Sequence, residues 1–175
     1  MSAAAGADHR AVDAAGRRLV LLRHGKSDYP AGVADHGRPL AERGRRQAAL
    51  AGRWLANEDI HVDAVLCSTS TRTRQTLDRT GIDAPTVYLD DIYGGGPAQI
   101  LEAIRLHAPE QARTLLVVGH EPGMPDTALA LDPAGTIDRF PTSTYAVLEI
   151  GDAWSELGLA AVADARLIGV RVPRD

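Results

Sequence analysis

The sequence predicts an α/β fold with a largely parallel central sheet covered on both faces by helices. Short apolar runs recur along the chain, at Leu19–Leu22, Ala64–Cys67, Thr86–Leu89 and Leu115–Val118. Each is followed by a stretch carrying apolar residues at helical spacing, and strands alternating with helices imply parallel pairing through crossover connections. No repeat or low-complexity linker divides the 175 residues, 45% of which are hydrophobic. That supports one domain with a sizeable core, expected over residues 17–175. Residues 1–16 are Ala-rich, with Asp8, His9, Arg10 and Asp13 interspersed, and read as a loose N-terminal tail.

Leu19 to Leu22 makes the first strand, and Arg23-His24-Gly25 follows it at once. The segment from Lys26 to Pro39 holds Pro30, Gly32, Gly37 and Pro39 and reads as a loop. A helix is expected from about Leu40 to Asn57, with Leu40, Gly44, Ala48, Ala51 and Leu55 on one face. Arg43, Arg45, Arg46 and Arg53 make its solvated side. The second strand ends at Ser68, and Ser68 or Ser70 can cap a helix carrying Arg72, Arg74 and Leu77. The third strand ends at Asp90 and Asp91. Gly94-Gly95-Gly96 turns the chain, and Pro97 opens a helix that Pro109 closes. The fourth strand runs into Gly119-His120-Glu121-Pro122-Gly123, with a helix through Met124, Ala128 and Leu131 beyond it. Tyr145–Ile150 and Arg166–Val170 complete the sheet.

Composition narrows the function. A net charge of −4 offers no bulk attraction to nucleic acid or an anionic membrane. A single cysteine, Cys67, leaves no intramolecular disulfide and no multi-cysteine zinc site, and its place in an apolar run reads as packing. No apolar run approaches the length of a membrane span, and the N-terminus lacks the basic start and apolar core of a signal peptide. A cytoplasmic protein is expected.

What remains is local chemistry. A cation and an imidazole at the end of an apolar strand are poorly placed for packing and well placed for a ligand, because open α/β sheets bind beyond the carboxyl ends of their strands. Gly25 permits a sharp turn and close approach. Parallel strands put their carboxyl ends on one edge, so Arg23, His24, His120 and Arg72 can converge there. Two guanidiniums and two imidazoles near a helix N-terminus make an anion pocket, with phosphate as the obvious occupant. A neutral imidazole nitrogen is a competent nucleophile toward phosphorus, and arginines can stabilise the equatorial oxygens during transfer. No metal or other cofactor is expected: His120-Glu121 lacks the second histidine of a His-Glu-x-x-His site. The glycine triplet lacks the Lys-Ser/Thr of a P-loop.

These stretches together resemble the histidine phosphatase superfamily, in its SixA-type phosphohistidine phosphatase branch. Leu21-Leu22-Arg23-His24-Gly25 resembles the nucleophile motif. Ser68-Thr69-Ser70-Thr71-Arg72 with Thr76 resembles the second-arginine motif, and Val118-Gly119-His120-Glu121-Pro122-Gly123 the second-histidine motif. Asp35-His36-Gly37-Arg38-Pro39-Leu40, Gly44 and Phe140-Pro141-Thr142-Ser143 resemble further segments of this branch. The resemblance spans about residues 18 to 172, with the motifs in family order.

It implies a three-layer α/β/α sandwich. It also implies His24 as the phosphate-accepting nucleophile, with Arg23, Arg72 and His120 holding the phosphoryl oxygens and Gly25 lining the substrate site. Lys26 stands where many larger relatives carry Glu or Gln, and Pro30 where phosphoglycerate mutases carry Asn. The mutase acid lies beyond the third strand, which makes Asp91 a candidate proton donor, with Glu121 as the other. The expectation is a metal-independent phosphatase, acting as a monomer on phosphohistidine in a phosphorylated protein. A phosphatase of small phosphate esters such as sugar phosphates or nucleotides is the alternative. A non-catalytic phospho-residue binding module is the third reading, which the intact nucleophile disfavours.

Overall fold

The computed structural model describes residues 16–174; the expected N-terminal tail lies, apart from Gly16, outside the described residues. Six strands form one sheet: β1 (Arg17–Arg23), β2 (Ala64–Ser68), β3 (Thr86–Leu89), β4 (Thr114–Gly119), β5 (Tyr145–Ile150) and β6 (Ala165–Arg171). Their order across the sheet is β3-β2-β4-β1-β5-β6. β1 pairs in parallel with β4, and β2 in parallel with both β4 and β3. β5 runs antiparallel to β1, and β6 antiparallel to β5. The sheet is therefore largely parallel, with β5 as the one reversed strand.

Four helices cover it: α1 (Glu42–Asn57), α2 (Thr71–Thr80), α3 (Pro97–His107) and α4 (Gly123–Leu131). Side chains alternate across a strand, and the central strands are apolar on both faces. Leu19 and Leu21 of β1, with Leu115 and Val117 of β4, pack on one side with Ile100, Ile104, Met124 and Ala128 of α3 and α4. Val20, Leu22, Leu116 and Val118 pack on the other, with Ala51, Leu55 and Leu77 of α1 and α2. Two apolar layers around one sheet make the expected α/β/α sandwich. Trp154, fully buried, donates its indole N–H to the Ala112 carbonyl at 2.7 Å and closes the first layer.

Helix α1 starts two residues later than expected. Leu40 is drawn instead into a β-bridge with Ser27, and its N–H goes to Gln75 Oε1 at 2.8 Å. Ser70 caps α2 and accepts from the Thr73 N–H, as expected, which leaves Ser68 free for another partner. Gly44 is required by contact: a Cβ there would lie 2.1 Å from the Lys26 carbonyl oxygen. The glycine lets α1 press directly on the backbone leaving β1. Cys67 is fully buried, and burial pushes its thiol up to about 12, as suits a packing residue. Among the described residues, no helix is long and apolar enough to cross a membrane.

Candidate active site

The carboxyl ends of β1, β4 and β2 lie side by side. Arg23 stands in register with Gly119, and Cys67 with Val118. His24 follows β1, His120 follows β4, and Ser68 ends β2. The His24 backbone is held from two sides: its N–H goes to the Gly119 carbonyl, and its carbonyl accepts from the Ser143 N–H, both at 3.0 Å. The Phe140–Thr144 segment thus braces the end of β1, and the Phe140 carbonyl also accepts from the Arg23 guanidinium at 2.9 Å.

Both imidazoles are more than nine-tenths buried. His24 Nδ1 lies 2.7 Å from the Gly25 carbonyl oxygen. A carbonyl only accepts, so this bond assigns the proton to Nδ1 and leaves the lone pair on Nε2. The Arg72 Nε–H reaches that Nε2 at 3.3 Å. For His120 the assignment reverses: Nδ1 accepts from Arg72 at 3.5 Å, and Nε2 donates to Ser68 Oγ at 2.8 Å. Burial holds His24 down to about 3 and His120 down to about 4, and the neighbouring arginines add to both shifts. Both rings are therefore neutral at pH 7. Their centroids are 5.2 Å apart.

Arg72 sits in the first turn of α2, just past the Ser70 cap, where the chain leaves β2. Besides the two histidines it donates to the Asp35 carbonyl at 2.8 Å and to Asp35 Oδ2 at 3.2 Å. Thr76, one turn along α2, donates to the Arg72 carbonyl at 2.7 Å and accepts from the Gly25 N–H at 2.9 Å. One hydroxyl thereby ties the arginine's helix to the nucleophile's loop.

The sequence expectations divide here. His24, Arg72 and His120 converge, and Arg23 lies at the foot of the same edge, paired with Glu121 at 2.8 Å. Gly25 has a structural task beside His24. Its N–H and carbonyl are already bonded within the protein, and a Cβ would fall 2.7 Å from the Gly44 carbonyl oxygen. It makes room for α1. The two candidate acids have other surroundings. Glu121 is held by Arg23, outside the His24–Arg72–His120 cluster. Asp91 is exposed on a single 3₁₀ turn over Asp90–Ile92 and reaches none of the three.

Two residues the sequence left without a role do reach the cluster. Asp35, on a 3₁₀ turn over Asp35–Gly37, accepts from Arg72, from Arg38 Nε at 3.1 Å and from the Tyr93 hydroxyl. The Tyr93 hydrogen bond, with Arg72 and Arg38, holds this carboxyl down to about 2. Tyr93 lies just past β3, with its ring edge-on to His36 and to His120 at 4.9 and 5.4 Å between centroids. His36 meets Thr69 Oγ1 at 2.9 Å, and Thr69 donates on to Asp90. Among the described residues, no group of three or more His, Cys, Asp or Glu side chains could hold a metal ion.

A neutral imidazole with its lone pair facing a guanidinium, beside a second imidazole and a second arginine, can accept a phosphoryl group and bind its oxygens. Comparison with known proteins gives the family. The sequence profile of the histidine phosphatase superfamily, branch 1, matches residues 19–91. An uncharacterized protein of Mycobacterium tuberculosis is 46% identical over 162 residues, covering 87% of this chain and 100% of that one. A solved structure from Nakamurella multipartitia, assigned as a phosphohistidine phosphatase SixA, is 41% identical with a TM-score of 0.82, over 90% of this chain and 96% of the other. The phosphohistidine phosphatase SixA of Escherichia coli is 25% identical over 141 residues, 78% of this chain and 87% of its own.

The chain belongs to the histidine phosphatase superfamily and is a phosphatase. Within that superfamily its place is the SixA-type branch.

Proposed function

We propose that this phosphatase removes phosphate from phosphohistidine on a protein, through a phosphohistidine intermediate on His24. The observation that carries the reading is the orientation of His24. Nδ1–H is anchored on the Gly25 carbonyl, and burial keeps Nε2 unprotonated against the Arg72 guanidinium at the floor of the site. Nε2 attacks phosphorus in line. Arg23 and Arg72 take the equatorial oxygens, where charge grows in the transition state, and His120 joins them once its proton shifts to Nδ1 and Nε2 accepts from the Ser68 hydroxyl instead. Water then hydrolyses the phosphoenzyme, without a metal ion. Phosphohistidine is favoured as substrate by the SixA relatives. A small phosphate ester is the second reading.

Turnover quenched without acid should leave acid-labile, base-stable phosphate on His24. Phosphate on Ser68 or Cys67 would sink the mechanism. His24→Ala should lose nearly all turnover and still bind a phosphate analogue, and EDTA should leave the wild type unaffected. A phosphohistidine peptide run beside a panel of sugar phosphates and nucleotides decides between the two substrate classes by kcat/KM.

A further inference from the structure

We propose that Asp35 is the proton donor to the leaving group, and the acceptor of the proton released by the attacking water. The inference rests on the phosphoryl-transfer reading above and prefers Asp35 over Asp91 and Glu121 because Asp35 is the carboxylate that bonds to Arg72.

The geometry that points to it is the span of one guanidinium. Arg72 touches the nucleophile at one end, Nε to His24 Nε2 at 3.3 Å, and the Asp35 carboxylate at the other, Nη2 to Oδ2 at 3.2 Å. A phosphoryl group seated against Arg72 with its phosphorus facing Nε2 would have Asp35 on its outer side. In an in-line displacement, that is the side of the departing atom and, in the second half-reaction, of the incoming water. Asp35 is also reachable: its side chain is 56% exposed, whereas the two imidazoles are closed in. Its other neighbours suit a group that exchanges a proton. Tyr93 donates one hydrogen bond to it, and Arg38 fixes its second oxygen at 3.0 Å.

In the free enzyme Asp35 is ionised, because Tyr93, Arg72 and Arg38 all stabilise its charge. A bound phosphoryl group changes that balance. It draws Arg72 toward its own oxygens and sets a second anion beside the carboxylate, and both changes raise the carboxyl's proton affinity. The proton comes from solvent, or from the monoanion of a phosphate monoester, whose last proton leaves near the general value of about 6.

The steps then balance. The His24 Nε2–P bond forms as the bond from phosphorus to the leaving atom breaks, and the electron pair stays on that atom, where the Asp35 proton lands. Water next attacks phosphorus and gives a proton to the Asp35 carboxylate. The Nε2–P bond breaks with its pair returning to His24, and inorganic phosphate leaves. A half-exposed donor is a modest acid, adequate for a leaving group that needs little help. Phosphohistidine is one, because its ring takes a proton on the other nitrogen near pH 6.5, by the free imidazole value of about 6.5, and leaves as neutral imidazole. An alkoxide depends on the donor fully.

The test is Asp35→Asn in the full chain, which keeps the side chain's shape and its acceptor for Tyr93. The readout is kcat/KM across p-nitrophenyl phosphate, phenyl phosphate, an aliphatic phosphate and a phosphohistidine peptide. The ratio reports steps up to phosphoryl transfer and cancels general damage to the pocket. The expected loss grows with the basicity of the leaving group. It should be within about threefold for p-nitrophenyl phosphate and the peptide, and about 10²-fold for the aliphatic ester. A uniform loss across the series would make Asp35 a residue that merely positions Arg72, and no loss would remove it from the reaction; either overturns the proposal. If Asp35→Asn fails to fold, the wild type alone decides: a shallow dependence of kcat/KM on leaving-group basicity requires a working donor, and a steep one excludes it. The substrate reading fails separately, on whether the wild type turns over the phosphohistidine peptide at all.

Discussion

At the floor of the site, His24 and His120 stand on the ends of paired strands, each more than nine-tenths buried. At the rim, Asp35, His36 and Arg38 hang on the chain between Lys26 and Leu40, held largely by side chains reaching from elsewhere, Arg72, Tyr93 and Thr69, with Ser27 of the same stretch on Arg38. The floor is fixed by backbone ladders, and its burial sets the protonation states. The rim is fixed by polar contacts in reach of water, which an arriving anion can replace. The reacting atom is thus immobile, while the groups that must rearrange during the cycle are placed where rearrangement costs least. Arg72 belongs to both, and its donors in the free enzyme are divided between the two histidines and Asp35.

Changing that shared residue should have the largest effect. Arg72→Lys keeps the charge but loses the planar fork that spans floor and rim. We expect kcat/KM to fall on the order of 10²-fold or more. A loss within about threefold would place Arg72 with the solvated residues instead.

Acid sharpens the contrast next. His24 and His120 titrate in the fold at about 3 and about 4, against 6.5 when exposed. Below pH 6.5 the unfolded chain therefore takes up protons that the folded chain refuses. Stability is full above pH 6.5 and falls as the pH drops toward 4 and then 3. By pH 5 each buried imidazole accounts for up to about 2 kcal/mol. Urea midpoints at pH 7 and pH 5 test this in the wild type and in His24→Ala, where the fall should be shallower. An equal fall in both proteins would mean that His24 titrates normally.

The smallest of the three effects concerns the tie behind the floor. Thr76→Val removes a fully buried hydroxyl and orphans the Gly25 N–H. The cost should be about 1–3 kcal/mol in urea unfolding. Turnover should fall as well, because the loop after β1 loses its link to α2. A variant with unchanged stability would show that the Gly25–Thr76 bond carries no net energy.

Much of the floor was legible in the residues. Apolar runs located all six strands, and the order of motifs brought Arg23, His24, Arg72 and His120 to one edge. The rim was not legible, for a physical reason. Pro30, Gly32, Gly37 and Pro39 announce a loop but not the direction in which it folds. Asp35 meets partners 37 and 58 residues away, contacts no local pattern encodes. Tyr93 beside the glycine triplet read as turn chemistry. The reversal of β5 was hidden in the alternation of strands and helices. Its signal was the 13-residue stretch between α4 and β5, marked by Pro133, Gly135 and Pro141 and containing no helix or strand. The stretch carries the chain back to the His24 edge, where Ser143 and Thr144 bond to β1 before β5 sets off the other way. The expected start of α1 at Leu40 failed similarly, because a distant Gln75 claims the Leu40 N–H.

The place of β1 in the sheet also has a bearing on how the enzyme is made. It is the first of the described strands in the chain, yet among them it pairs with β4 and β5, whose residues begin at 114 and 145. β2 likewise waits for β4, although β3 follows it directly. Such long-range pairing delays folding, and until it occurs the nascent chain carries an apolar strand with both edges open. A fragment stopping before Thr114 would hold the nucleophile, Asp35 and the second arginine in sequence and still lack the ladder that aligns them. Assembly of this catalyst is therefore close to all-or-none along the chain, and among the described strands Leu19–Leu22 is the apolar stretch that waits longest for a partner.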